Sequence, residues 1–258
     1  MSARGTRPGL LSLIRHIPAH PRAALAVGWP VLAAALVFSW AETWAMRDSY
    51  DGVEDSAALV DAVAADFLRT LLSFFGLLLF ALVSAWSAIR WHRFILAGSE
   101  VTFAPQGVGA VRFGRYLWAA ILLYLLLVVV MLLISQAMLV LVHSVPHRDG
   151  GTLLRLADAL ALVSGLAVFW LTLRLGLVLP AAAVDRRMSL AESWRLTARA
   201  PVSLLLAALV LSVGYVGSTL LLERLPAGLA LADTAFFLVD VTVLTALYET
   251  LVMRGAGD

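Results

Sequence analysis

Six stretches of the chain stay apolar for about 20 residues or more, the length a helix needs to cross a bilayer. They are roughly Ala23–Met46, Phe67–Ile89, Leu117–Val142, Ala157–Pro180, Val202–Leu222 and Ala230–Val252. The pattern predicts an all-α membrane protein, a six-transmembrane-helix bundle. The third stretch is the plainest: Ile121 to Ile134 reads ILLYLLLVVVMLLI, apolar on every face, as for a helix surrounded by lipid.

The polar connections set the orientation. Arg4, Arg7, Arg15 and Arg22 precede the first stretch, and Arg90, Arg93, Arg112 and Arg115 join the second to the third. Arg174, Arg186, Arg187, Arg195 and Arg199 join the fourth to the fifth, and Arg254 follows the last. That side carries 14 arginines, against Arg47, Arg69, Arg148, Arg155 and Arg224 on the other. Cytoplasmic loops are the arginine-rich ones, so both termini are expected in the cytoplasm. The chain divides into a basic cytoplasmic segment (1–22), the six-helix domain (23–253) and a short cytoplasmic tail (254–258). The N-terminal segment, with Pro8, Pro18 and Pro21 and no small-residue cleavage site after the apolar run, does not read as a cleavable signal. Leu10–His16 reads equally as a short amphipathic turn on the membrane or as a basic tail.

Two connections carry further pattern. The first outer one is acidic (Asp48, Asp51, Glu54, Asp55, Asp61, Asp66), and its unbroken helical periodicity from Ser56 predicts that the second helix starts outside the bilayer with Asp55 as its N-cap. In the cytoplasmic fourth-to-fifth connection, Pro180 is expected to end the fourth span. Ser189 to Glu192 then has the S-x-x-E form of a capping box. A short interfacial helix follows, with Leu190, Trp194 and Thr197 on one face and Arg195 and Arg199 nearer another. Arg90 and Arg174, and likewise Arg115 and Arg199, stand 84 residues apart, which suggests a parallel internal repeat or the chance outcome of basic inner loops.

Composition narrows the chemistry. Of 258 residues, 62% are hydrophobic and 14% charged, against about 45–50% and about 25% in soluble domains. There is no cysteine, and all 19 basic residues are arginine. Disulfides, thiolate sites, Schiff bases and a P-loop lysine are therefore excluded. A net charge of +2 gives no reason to expect nucleic acid; the expected partners are the lipid bilayer and other membrane proteins. The arginine-only usage, rich in Ala, Leu and Val, resembles that of a GC-rich bacterial genome, so the expected location is the inner (cytoplasmic) membrane.

The segment RLGLVLPAAAVDRRMSLAESWRLTAR (Arg174–Arg199) resembles a recurrent signature of bacterial multi-span proteins similar to YciC-type membrane proteins and to the membrane domain of some glycerophosphodiester phosphodiesterases. The matching positions are Arg174, Leu179-Pro180-Ala181, Ser189-Leu190, Glu192, Trp194 and Thr197, about a tenth of the chain. RWHRFILAGSE (Arg90–Glu100) is a looser second element. The resemblance implies a membrane fold without a known chemistry, because the phosphodiesterase activity of the fused relatives belongs to a separate soluble barrel.

Candidate sites are few. His143 and His147 have the spacing of two ligands on one helical face but straddle Pro146, and His16 and His20 straddle Pro18. His92, between Trp91 and Arg93, reads as a residue of the inner interface. Gly107-Val108-Gly109 reads as a turn, and no nucleophile elbow occurs. Neither a catalytic group, a metal site nor a cofactor is expected. Trp29, Trp40, Trp44, Trp86, Trp91, Trp118 and Trp194 read as an interfacial belt, whereas Trp170 reads as packed between helices. Ala157, Ala161 and Gly165, and Gly214 with Ser218, read as small residues that let helices approach.

The candidate intramembrane polar site is Asp240, Arg174 and Gln136. Asp240 lies about twelve residues from the inner end of its span, roughly 18 Å deep. An aspartate there costs about 2.5–3.5 kcal/mol, so it is expected to face the interior, paired with Arg174 or hydrogen-bonded to a neighbour. The leading expectation is a non-enzymatic accessory or scaffold protein. The alternative is a small-solute or lipid-handling transporter, and a membrane enzyme ranks third.

Overall fold

Proline is well suited to the first position of a helix, where its fixed φ fits and its missing N–H would have no partner. Accordingly the first long helix opens at Pro21. The computed structural model describes residues 16–45, 56–101, 108–144, 150–222, 225 and 227–253. Its elements are α1 (His16–Ala19), α2 (Pro21–Ala45), α3 (Ser56–Ala97), α4 (Ala110–Ser144), α5 (Gly150–Leu175), α6 (Val178–Ala183), α7 (Leu190–Thr197), α8 (Pro201–Leu222) and α9 (Gly228–Tyr248). A π-helical turn, Glu249–Met253, closes the series, and no strand occurs among the described residues. The chain is an all-α membrane bundle. Among the described residues, five segments are long and apolar enough to cross a membrane: Pro21–Ala41, Thr70–Ala97, Ala110–Ala137, Pro201–Leu222 and Gly228–Met253. In α5 the corresponding apolar segment is the shorter Leu162–Leu175.

The central helix is α9, which packs against α2, α3 and α8. One side of the core joins α5, α6, α8 and α9 through Leu173, Leu177, Leu204, Ala208, Leu244 and Tyr248. The other joins α2, α3 and α9 through Val27, Ile89, Trp91 and Val241. Small residues set the close approaches. A Cβ on Gly76 of α3 would lie 3.3 Å from Phe38 Cα of α2, and Phe38 and Phe80 stack beside it at 6.1 Å. A Cβ on Gly165 of α5 would lie 2.7 Å from Ser212 Oγ of α8, which donates to the Leu162 carbonyl at 3.3 Å. Gly214 faces Phe236 of α9 in the same manner. By contrast α4 leaves Leu125, Val129, Leu132 and Leu133 exposed on the outside of the bundle, as its uniform apolarity foretold.

The threonines of α9 bond within their own helix. Thr234 donates to the Ala230 carbonyl, Thr242 to Leu238 and Thr245 to Val241, at 2.7, 2.6 and 2.6 Å. Thr250 does the same to Ala246 in the π turn.

The structure corrects the expected end of the fourth span. Helix α5 stops at Leu175, before Pro180, because the chain turns at Gly176. Gly176 N–H closes on the Thr172 carbonyl at 2.7 Å, and a Cβ there would sit 2.4 Å from that oxygen and 2.9 Å from Leu244. Pro180 is instead the third residue of α6, within the first turn, whose N–H groups have no intrahelical partner to lose. The predicted cap Asp55, His147, Gly107 and Arg254 lie outside the described residues.

Candidate functional site

Among the described residues, three features near the ends of α3, α5 and α6 bring charged and hydrogen-bonding side chains together. The first is the junction after α6. Arg186 N–H bonds to the Ala181 carbonyl at 2.9 Å and Asp185 N–H to Ala182 at 3.3 Å. With Asp185 at φ 62°, this is the Schellman ending of a helix, with aspartate in the left-handed position usually given to glycine. Its carboxylate is gripped by α4: Arg112 donates through Nε at 3.0 Å and through Nη2 at 2.5 Å, and Arg115 donates at 2.5 Å. The Arg112 hydrogen bond, with the charges of Arg112, Arg115 and Arg93 adding to it, holds the Asp185 carboxyl below the usual carboxylate range against a smaller opposing effect of desolvation.

A depressed carboxylate contributes stability above its unfolded value, and that contribution is lost as pH falls through the folded value. Thermal unfolding in detergent between pH 7 and pH 3 should therefore show an acid-side loss that Asp185→Asn flattens. The effect should be small and weaken with salt, because about 39% of the Asp185 side chain is exposed.

The second feature is α7. Ser189 caps it, accepting from Glu192 N–H at 3.1 Å, as the S-x-x-E pattern predicts. Its buried face differs from the expected one: Ser193 and Thr197 are both fully buried. Thr197 Oγ1 shares its single proton among the Ser193, Trp194 and Arg174 carbonyls, at 2.8, 3.0 and 3.1 Å, and Ser193 Oγ donates at 2.9 Å to the Arg174 carbonyl. That carbonyl is open to them because α5 ends one residue later and the last carbonyls of a helix lack intrahelical donors. The Arg174 guanidinium lies 3.9 Å from the Trp194 ring centroid and 5.5 Å from that of Trp170, and the two indoles meet edge to face at 5.5 Å. Arg195 points outward, exposed.

The third feature is a buried polar chain between α3, α4 and α9. His92 is fully buried, with Nδ1 2.8 Å from Thr245 Oγ1 and Nε2 3.4 Å from the Tyr116 hydroxyl. Thr245 gives its own proton to Val241, so it accepts from His92 Nδ1–H, and Nε2 is left to accept from Tyr116. This corrects the interfacial reading of His92. Trp91 leaves the expected belt for the same reason: it is completely buried, while Trp29, Trp40 and Trp118 are exposed as expected. Asp240 lies within electrostatic reach of Tyr116, and its Oδ1 is sealed from solvent without a hydrogen-bond partner. No ion pair joins it to Arg174. Gln136 belongs to neither group and sits exposed on α4.

One pattern escaped the sequence reading. Arg90 lies 4.4 Å from the Trp86 ring, and Arg174 likewise covers Trp170 one turn earlier. The W-x-x-x-R spacing, repeated 84 residues apart, is visible in WSAIR and WLTLR. No group of three metal-ligating side chains occurs among the described residues. The chain matches no known family model, and no curated protein or solved structure shows significant similarity to it.

Proposed function

We propose that this chain is a non-enzymatic accessory or scaffold protein of the bacterial inner membrane. In this reading it crosses the membrane six times, with both termini in the cytoplasm and α7 in the inner interface. The observation that carries the reading is how the buried and junction polar groups are used. Ser193, Thr197, Ser212, His92 and Asp185 all hold one helix or loop to another, and such contacts build a rigid frame. The apolar face of α4 suits lipid or the helix of a membrane partner. The likeness of Arg174–Arg199 to YciC-type proteins agrees with a membrane fold without a known chemistry.

Isolation from the native membrane in mild detergent should bring one membrane protein in fixed stoichiometry. Isolation alone, combined with solute uptake in proteoliposomes that Asp240→Asn abolishes, would replace this reading with the transporter. The unpartnered Asp240 Oδ1 is the observation favouring that second reading. The orientation has its own test, since the natural chain is free of cysteine. Single cysteines at Ser56 and Thr152 should react with an impermeant thiol reagent outside intact cells, and those at Ser99 and Ser189 only after permeabilisation. Outside labelling at Ser99 would reverse the topology.

A further inference from the structure

Arg174 is only 5% exposed, yet its guanidinium has no hydrogen-bond or ion-pair partner among the described residues. A buried arginine without a counter-charge is expensive, because desolvation is not offset by attraction. Cation–π contact with Trp170 and Trp194 offsets a part of that cost. It leaves the N–H edge of the guanidinium without a protein acceptor among the described residues, and so available to a ligand. That edge is a planar fork of donors matched to two oxygens of one phosphate or carboxylate group.

Position narrows the ligand. The helix carrying Trp194 ends at Thr197, and the membrane-crossing segment Pro201–Leu222 starts four residues later. The site therefore lies at a bilayer surface, the depth of phospholipid headgroups. Trp194 is 38% exposed, so the site opens outward beside the indole rather than into the core. Acyl chains would run from there along the apolar surface of α8, where Val202, Leu205 and Leu209 are exposed.

We propose that Arg174, framed by Trp170 and Trp194, binds the phosphate of a phospholipid headgroup from the leaflet in which α7 lies. The site holds one lipid per chain. The bound phosphate supplies the counter-charge that the protein omits, and it ties α5 to α7 in addition to the Ser193 and Thr197 hydroxyls. This inference does not depend on the accessory role, since a scaffold and a transporter would both gain from it.

The test uses the full chain, delipidated in a neutral maltoside detergent, with thermal unfolding and native mass spectrometry as readouts. Phosphatidylglycerol should raise the unfolding temperature and saturate at one retained lipid per chain. A diacylglycerol of the same chains, lacking the phosphate, should do neither. Arg174→Gln should weaken retention roughly tenfold or more, the loss expected for charge-assisted hydrogen bonds. Arg195→Gln, on the exposed side of α7, should leave retention unchanged. Equal stabilisation by diacylglycerol would overturn the proposal on the natural chain alone, whether or not Arg174→Gln folds. Equal retention by a folded Arg174→Gln would overturn it in favour of the surface arginines. An equal effect of inorganic phosphate at the same concentration would overturn the lipid source and assign the site to a free anion.

Discussion

Truncating Trp91 to alanine should destabilise the protein by about 3–5 kcal/mol, the cost of removing a large aromatic side chain from a packed core. Trp91 is completely buried, packed among Val27, Ile89 and Val241 where α2, α3 and α9 meet, with Phe94 at a ring distance of 6.0 Å. Its indole Nε1 is buried without a hydrogen-bond partner, so its contribution is one of volume and shape. Trp91→Phe should therefore cost clearly less than alanine, because it retains most of the ring while removing an unpaired N–H. Thermal unfolding in detergent, ranked against an exposed tryptophan such as Trp118→Ala, checks both. A change within about 0.5 kcal/mol at Trp91, normal for surface positions, would mean that it belongs to the interfacial belt after all.

The pair Ser193→Ala and Thr197→Val should act together more strongly than apart. Ser193 donates to the Arg174 carbonyl, and Thr197, whose one proton is shared with the Ser193 and Trp194 carbonyls, lies within reach of it, so each single change leaves one donor there and should cost about 0.5–1.5 kcal/mol, the net value of one hydrogen bond. The double change strands a buried acceptor, which adds a penalty of about 1–3 kcal/mol, and the excess over the sum of the singles is the measured coupling. Helix α7 should loosen from α5 as a consequence. Backbone hydrogen exchange over 190–197 should rise and Trp194 fluorescence should shift to the red. Additive singles without increased exchange would show that α7 is held by the indole contacts instead.

Legibility in the sequence followed the kind of signal. Long apolar runs announced α2, α3, α4, α8 and α9, because a bilayer demands length and hydrophobicity and both can be counted. The cap at Ser189 was legible because it is local in sequence. The turn at Gly176 was not: Pro180 gave the louder signal, and the crowding that forces the turn comes from Leu244, far along the chain. Depth arithmetic placed Asp240 near mid-membrane but said nothing of direction around each helix axis, so it left open whether Arg174 or a hydrogen-bonding neighbour would meet it. Trp91 and His92 were misread for a related reason. They lie at the end of an apolar stretch, where interface and core look alike until the helix packed against them is known. The Arg–Trp stacks could have been found, since residues four apart share a helical face.

The threonines of α9 bear on how the chain is assembled. A helix destined for the centre of a bundle enters the bilayer with its polar groups facing hydrocarbon unless they are satisfied at once. By bonding to its own backbone, each threonine hydroxyl of α9 and the π turn is quiet from the moment the helix forms. The helix can then wait in lipid for α2, α3 and α8 to close around it. Asp240 has no such local arrangement, and Asp233 finds its partner only in Tyr215 of α8, so these two carboxyls are what makes docking urgent. A chain with Asp240→Leu should insert more readily and lose one polar cue that draws α9 inward.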